Sequence, residues 1–246
     1  MRYRDIKRLY HEHYNVLRDQ YIYVEMTEEE NQVVSTYATN LAELRWGEDG
    51  FDGTTKEELR NAFFLGGCGE TVVGKHLGHK QSELEFDIGK KGNASDYAHG
   101  DLSCLGYFGI GVKVSRHGLP PMVIQKEKWK DGRCGNEFIC TVYEEDIERD
   151  SEKNIKRIKG VWINGFADET IQKTYQDKEM ILKPDCPKYK DRAGFYGFDK
   201  LRTMSNQKEI NAFKAEYKAD KNYIENFLKN FLNFLSFSQT SQYVCK

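Results

Sequence analysis

Residues 63–78 read FFLGGCGETVVGKHLG, a stretch with helical character that carries Gly66, Gly67, Gly69 and Gly74 around one carboxylate, Glu70. An interior helical glycine costs about 1 kcal/mol relative to alanine, so this density of glycine calls for a reason. At about 3.6 residues per turn, Gly66, Gly67 and Gly74 fall three or four positions from Glu70 and share its face. A strip without side chains lets another backbone approach, which would aim Glu70 at the ends of neighbouring strands. The plainer alternative is a glycine-lined packing face with Glu70 at its wet edge. Farther along, HGDLSCLGYFGIGVKVSR places Asp101 at the start of one expected strand and Lys113 within the next. An acid at a bend with a lysine in a following apolar strand suits metal-assisted phosphodiester hydrolysis. The carboxylate holds Mg²⁺, and the lysine positions the nucleophile or offsets developing negative charge. Val112 and Val114 flank Lys113 and are expected to face the core, which turns Lys113 the other way.

A helix glutamate, then an aspartate, then a strand ending in acid-x-lysine is the order that resembles the PD-(D/E)XK nuclease superfamily. More narrowly, "NAFFLGGCGETVVGKHLG … DL … GIGVKVS … VWINGF" is similar to phage-encoded and bacterial proteins of that superfamily, over residues 60–166. The resemblance implies a restriction-endonuclease-like core, a mixed sheet flanked by helices, with DNA as substrate and Mg²⁺ or Mn²⁺ as cofactor. By position it makes Glu70 and Asp101 the metal acids and Lys113 the motif lysine. One departure stands out: the second acid, two residues before the lysine, is replaced by Gly111. Asp87 or Glu85 on the preceding strand, or Gln125 on the next, are candidate replacements. The remaining alternative is an inactive site in a protein that binds DNA or a host protein.

Positive charge gathers near these residues. Lys90 and Lys91 precede Asp101, and QKEKWKDGR brings Lys126, Lys128, Lys130 and Arg133 around Trp129. Such a run suits phosphate tracking, although Glu127 and Asp131 also fit a solvated hairpin tip. Other constellations are weaker. His11 and His13 lie in a charged leader. His76 and His79 suit the C-terminal carbonyls of the Glu70 helix, and His99 suits a turn. Cys68 has no readable base and is expected to pack. GYFGIG lacks the lysine-serine ending of a phosphate loop.

Several elements must position these groups. YIYVEM (21–26) reads as a strand. Thr27 with Glu30, and Thr55 with Glu58, have capping-box spacing and open two helices, the first running to about Trp46. ELEFDI (83–88), a two-strand element over 101–116, PMVIQK, NEFICTVYE and KRIKGVWINGF supply expected strands, with a short helix at 167–175. A long amphipathic helix is expected from Asn206 to about Phe237. Its Phe227, Phe231, Phe234 and Phe237 suit either a homodimer contact or, more simply, core packing.

The layout is α/β: an N-terminal helical segment over 1–55, a core over 56–175, and an irregular segment with a closing helix over 176–246. With 246 residues, 39% hydrophobic and 31% charged, the chain can bury a real core, and its net charge of −2 argues against a globally basic nucleic-acid binder. Six cysteines without a CxxC pair suit reduced thiols in a cytosol, a host cytosol if the protein is phage-encoded. The charged start MRYRDIKRLYHEHY has no secretory apolar run, and nothing reads as a membrane span.

Overall fold

The computed structural model describes residues 20–47, 54–84, 86, 100–107, 109–116, 124–125, 136–168, 193–194 and 201–218. A strand β1 (Ile22–Glu25) leads into helix α1 (Glu28–Arg45), and helix α2 (Lys56–His76) follows. Both helices start where the capping spacing predicts. Glu30 N–H donates to Thr27 Oγ1 at 3.1 Å and Thr27 N–H to Glu30 Oε2 at 2.7 Å. Glu58 N–H and Thr55 Oγ1 repeat the bond at 3.2 Å, with the reciprocal bond to Glu58 Oε2 at 2.9 Å. These boxes satisfy helix N–H groups that have no intrahelical acceptor.

The main sheet is mixed. Strand β2 (Ile110–Arg116) runs parallel to β4 (Asn136–Val142), β4 runs antiparallel to β7 (Gly160–Ala167), and β7 runs antiparallel to β1. Two smaller pairs join β3 (Ile124–Gln125) to β8 (Ala193–Gly194) and β5 (Ile147–Arg149) to β6 (Ile155–Ile158). Because β1 is the outer partner of β7, β1 and α1 share one core with α2 and the sheet.

One sheet face is built from Val112, Phe138, Cys140, Val142, Ile163 and Phe166, all buried. It packs on Phe64, Cys68 and Val72 of α2 and on Phe213 of helix α3 (Gln207–Tyr217). The Phe213 ring lies 5.1 Å from Phe138 and 5.0 Å from Phe166, centre to centre. Burying an aromatic ring this fully stabilises the fold by about 1.5–3 kcal/mol. It also fixes α3 on the face that α2 covers.

Several expected elements differ. Asp101 does not start a strand: Ser103–Leu105 forms a 3₁₀ turn, and Gly100, Gly106 and Gly109 take positive φ of 75°, 84° and 66°. The chain curls because Leu102, Leu105 and Tyr107 bury themselves as a plug and Leu102 N–H bonds Ile110 O at 3.2 Å. Gln81–Glu83 likewise forms a 3₁₀ turn where a strand was expected over 83–88, and Leu84 and Phe86 are in no strand. KRIKGVWINGF divides between β6 and β7 because Lys159 breaks the run, its N–H bonding Asp146 O and its carbonyl accepting from Met26 N–H, both at 2.8 Å. Helix α3 begins on schedule with an Asn206 cap but ends at Tyr217. Lys218 turns extended and forms a β-bridge to Tyr107, and the rest of the expected helix, with Phe227, Phe231, Phe234 and Phe237, lies outside the described residues. The short helix expected over 167–175 meets the end of β7 at Ala167; residues 169–175 also lie outside.

Candidate functional site

The glycines of α2 do not form one bare strip; each of the four meets a different surrounding. A Cβ on Gly67 would come within 2.8 Å of Val34 Cγ1 on α1. One on Gly74 would meet Leu105 Cδ1 at 3.3 Å, and one on Gly66 would meet nothing within 4 Å. The close approach to the sheet runs through Gly69, where a Cβ would overlap Val114 Cγ2 and sit 3.1 Å from Val112 Cγ1. Residues adjacent in a helix stand about 100° apart. Gly69 therefore seats α2 against β2 while Glu70 emerges beside the contact rather than in it. Val112 and Val114 face α2, as expected, and Lys113 turns to the opposite face of the sheet.

Asp101 is brought to β2 by the tight loop before it. Gly100 has left-handed φ, and a Cβ there would fall 2.6 Å from both Ile110 N and Ile110 O. Only glycine meets both conditions. The loop then delivers Asp101 Oδ2 to Val112 N–H at 2.6 Å, a charge-assisted bond on the outer side of β2.

Lys113 meets a residue for which no role was expected. Its Nζ lies 3.7 Å from Oε1 of Glu137 on β4, and their side chains keep 45% and 18% of their surface open. Burial works to lower the Lys113 pKa. The carboxylates of Glu137, Asp101 and Glu70 outweigh it and hold the ammonium above its ordinary value. Glu70 behaves oppositely: burial and then the Asp101 carboxylate push its carboxyl well above the usual range, with Lys113 opposing. Glu70 thus lies with α2 over one face of β2, Lys113 stands on the opposite face, and Asp101 is bonded to Val112 on the strand's outer side.

Sequence reasoning passed over Glu137, though a signal exists: in NEFICTV it is the only charged residue of β4. Among the acids considered instead, Asp87 and Glu85 lie outside the described residues. Gln125 sits on β3, which pairs with β8 rather than with β2. Lys90, Lys91, Lys126, Lys128, Lys130 and Arg133 also lie outside, as do Trp129, His11, His13 and His99.

The remaining candidates are structural. His76 Nε2 bonds Met204 O at 2.9 Å, tying α2 to the approach to α3 rather than capping its own helix. His79 bridges Glu83 Oε2 at 2.9 Å and the Tyr107 hydroxyl at 3.4 Å. Cys68 is fully buried, and burial with the Glu30 and Glu70 carboxylates pushes its thiol well up, the reverse of an activated nucleophile.

The donors at hand for a cation are carboxylate oxygens, right in kind for Mg²⁺. Among the described residues, no three Asp, Glu, His or Cys side chains are already spaced to hold an ion. Mg²⁺ is commonly held by one or two carboxylates, with water and substrate phosphate completing its shell, so this donor set fits in chemistry without being a finished cage. Among the described residues no helix is long and apolar enough to cross a membrane. No family model, curated protein or solved structure matches the chain.

Proposed function

We propose that this protein is a metal-dependent DNA phosphodiester hydrolase on a restriction-endonuclease-like core. The observation that carries the reading is that one strand, β2, gathers the three elements: its Val112 N–H donates to Asp101 Oδ2 at 2.6 Å, its Val112 and Val114 seat α2 at Gly69 beside Glu70, and it carries Lys113 itself. Asp101 spends Oδ2 on Val112 N–H and keeps Oδ1 as a donor, with Glu70 as the second donor. A bound Mg²⁺ would polarise the phosphate and lower the pKa of an attacking water. Lys113, held firmly cationic, meets the negative charge that develops on the phosphoryl oxygens. Burial and then the Asp101 carboxylate push the Glu70 carboxyl up, and a cation bound beside it would offset both.

A second reading, an inactive nuclease-fold protein that binds DNA or a host protein, is favoured by Gly111 and by the Glu137–Lys113 pair, which neutralises the lysine. Asp101→Asn separates the two, because the amide oxygen still accepts from Val112 N–H while the charge is lost. Supercoiled, linear, single-stranded and branched DNA are incubated with Mg²⁺ or Mn²⁺. Cleavage by the wild type that Asp101→Asn abolishes is the expected result. No cleavage of any form, with DNA binding intact in both proteins, establishes the inactive reading.

A further inference from the structure

Gly111 leaves a gap that another strand fills. In the parallel β2–β4 ladder Gly111 pairs with Glu137, Val112 with Phe138 and Lys113 with Ile139. Paired residues project to the same face of a sheet, so Glu137 stands beside the place where a side chain on residue 111 would be. A Cβ built on Gly111 would lie 3.5 Å from Asp101 Oδ2, 3.5 Å from Glu137 Cγ and 3.8 Å from Glu137 Oε1. These are ordinary contacts: the Asp101 and Glu137 carboxyl groups flank one shared volume that the glycine leaves open.

The five residues after Glu137, Phe138 to Val142, are all buried, and Glu137 is the one charge in the strand. Its Oε1 lies 3.7 Å from Lys113 Nζ at the margin of that core. The Glu137 carboxylate therefore neighbours both Lys113 Nζ and the gap at Gly111 that Asp101 borders.

We propose that Glu137 supplies, from the adjacent strand, the carboxylate that residue 111 lacks, pairing with Asp101 across the Gly111 gap to hold a divalent cation, and holding Lys113 in place while doing so. The inference rests on the phosphodiesterase reading and adds a residue that the order of acids along the chain does not point to. It also explains why glycine suits position 111: the Glu137 side chain lies where a longer side chain on β2 would go.

The test reads Mn²⁺ binding by calorimetry on the full chain, separately from cleavage, for the wild type, Asp101→Asn, Glu137→Gln and Gly111→Glu/Glu137→Gln, each checked for folding by circular dichroism. Glu137→Gln is expected to weaken Mn²⁺ binding by at least the ~10–100-fold typical of losing a group that supports a metal site, and to slow cleavage in step. Adding Gly111→Glu, which returns a carboxylate to the same volume from β2, is expected to recover most of both. If Glu137→Gln binds Mn²⁺ like the wild type while Asp101→Asn does not, Glu137 has no such role and the phosphodiesterase reading survives. If the wild type binds no Mn²⁺, both are overturned. Should Glu137→Gln fail to fold, Glu137→Asp, which keeps the charge and shortens its reach, decides: weakened Mn²⁺ binding supports the role of the Glu137 oxygens, and unchanged binding refutes it.

Discussion

Gly69→Ala and Gly66→Ala are the same substitution three residues apart in one helix, and opposite outcomes are expected. Both gain up to about 1 kcal/mol of helix propensity, since alanine restricts the unfolded chain. At Gly66 nothing opposes this, because a Cβ there meets nothing within 4 Å. At Gly69 the new methyl would overlap Val114 Cγ2 and press within 3.1 Å of Val112 Cγ1. Valine is stiff about χ1 and these two are anchored in β2, so the strand or the helix must move instead. Overpacking of this kind costs about 1–3 kcal/mol, which leaves Gly69→Ala net destabilised by roughly 0–2 kcal/mol. In a chain this long, 1 kcal/mol shifts the melting temperature by about 2–4 °C. Gly66→Ala should therefore melt a few degrees above Gly69→Ala in paired thermal scans. The displaced helix also carries Glu70, so Gly69→Ala should lose cleavage and Gly66→Ala should keep it. If Gly69→Ala is as stable and active as Gly66→Ala, α2 is not seated through Gly69, and the account of how Glu70 reaches the site fails.

Other expectations rest on individual residues. The Glu70 carboxyl is raised above about 4.5 in the folded protein, so between that value and its folded pKa the folded chain binds more protons than the unfolded one. Stability then falls as pH rises through that window and stops falling above it. Glu70→Gln removes this slope, so in chelator its urea midpoints should exceed those of the wild type at about pH 8 and approach them at about pH 4; parallel profiles contradict the burial of a charge there. Asn31 ties α1 to β6, its Nδ2 donating to Ile158 O at 3.0 Å and its Oδ1 accepting from Ile158 N–H at 2.9 Å. Asn31→Ala orphans both buried groups and should cost roughly 2–4 kcal/mol, measured by urea unfolding; a loss below that range means that the strand finds other partners.

What the sequence could determine here was local. Thr27 with Glu30 and Thr55 with Glu58 announce helix starts because a cap and its reciprocal bond lie within four residues of each other. Alternation within IGVKVSR likewise turns Val112 and Val114 to the core and Lys113 away. The limits of such reading show at α3, where a sustained aromatic pattern predicts helix but the distant backbone of Tyr107 claims Lys218 for a bridge. They show again at 101–109, where burying Leu102, Leu105 and Tyr107 outweighs an alternation that suggests strands.

The candidate site was legible as residue types and illegible as geometry. Glu70, Asp101 and Lys113 carry their chemistry in the sequence, but which glycine seats the helix depends on which strand lies across from it. Glu137 became visible only through the pairing of β2 with β4, a register between strands with residues 117–135 between them. Register is set by the burial of whole faces, and a slip of one residue would turn Glu137 to the other side. The chain specifies the charges; the sheet decides which of them meet.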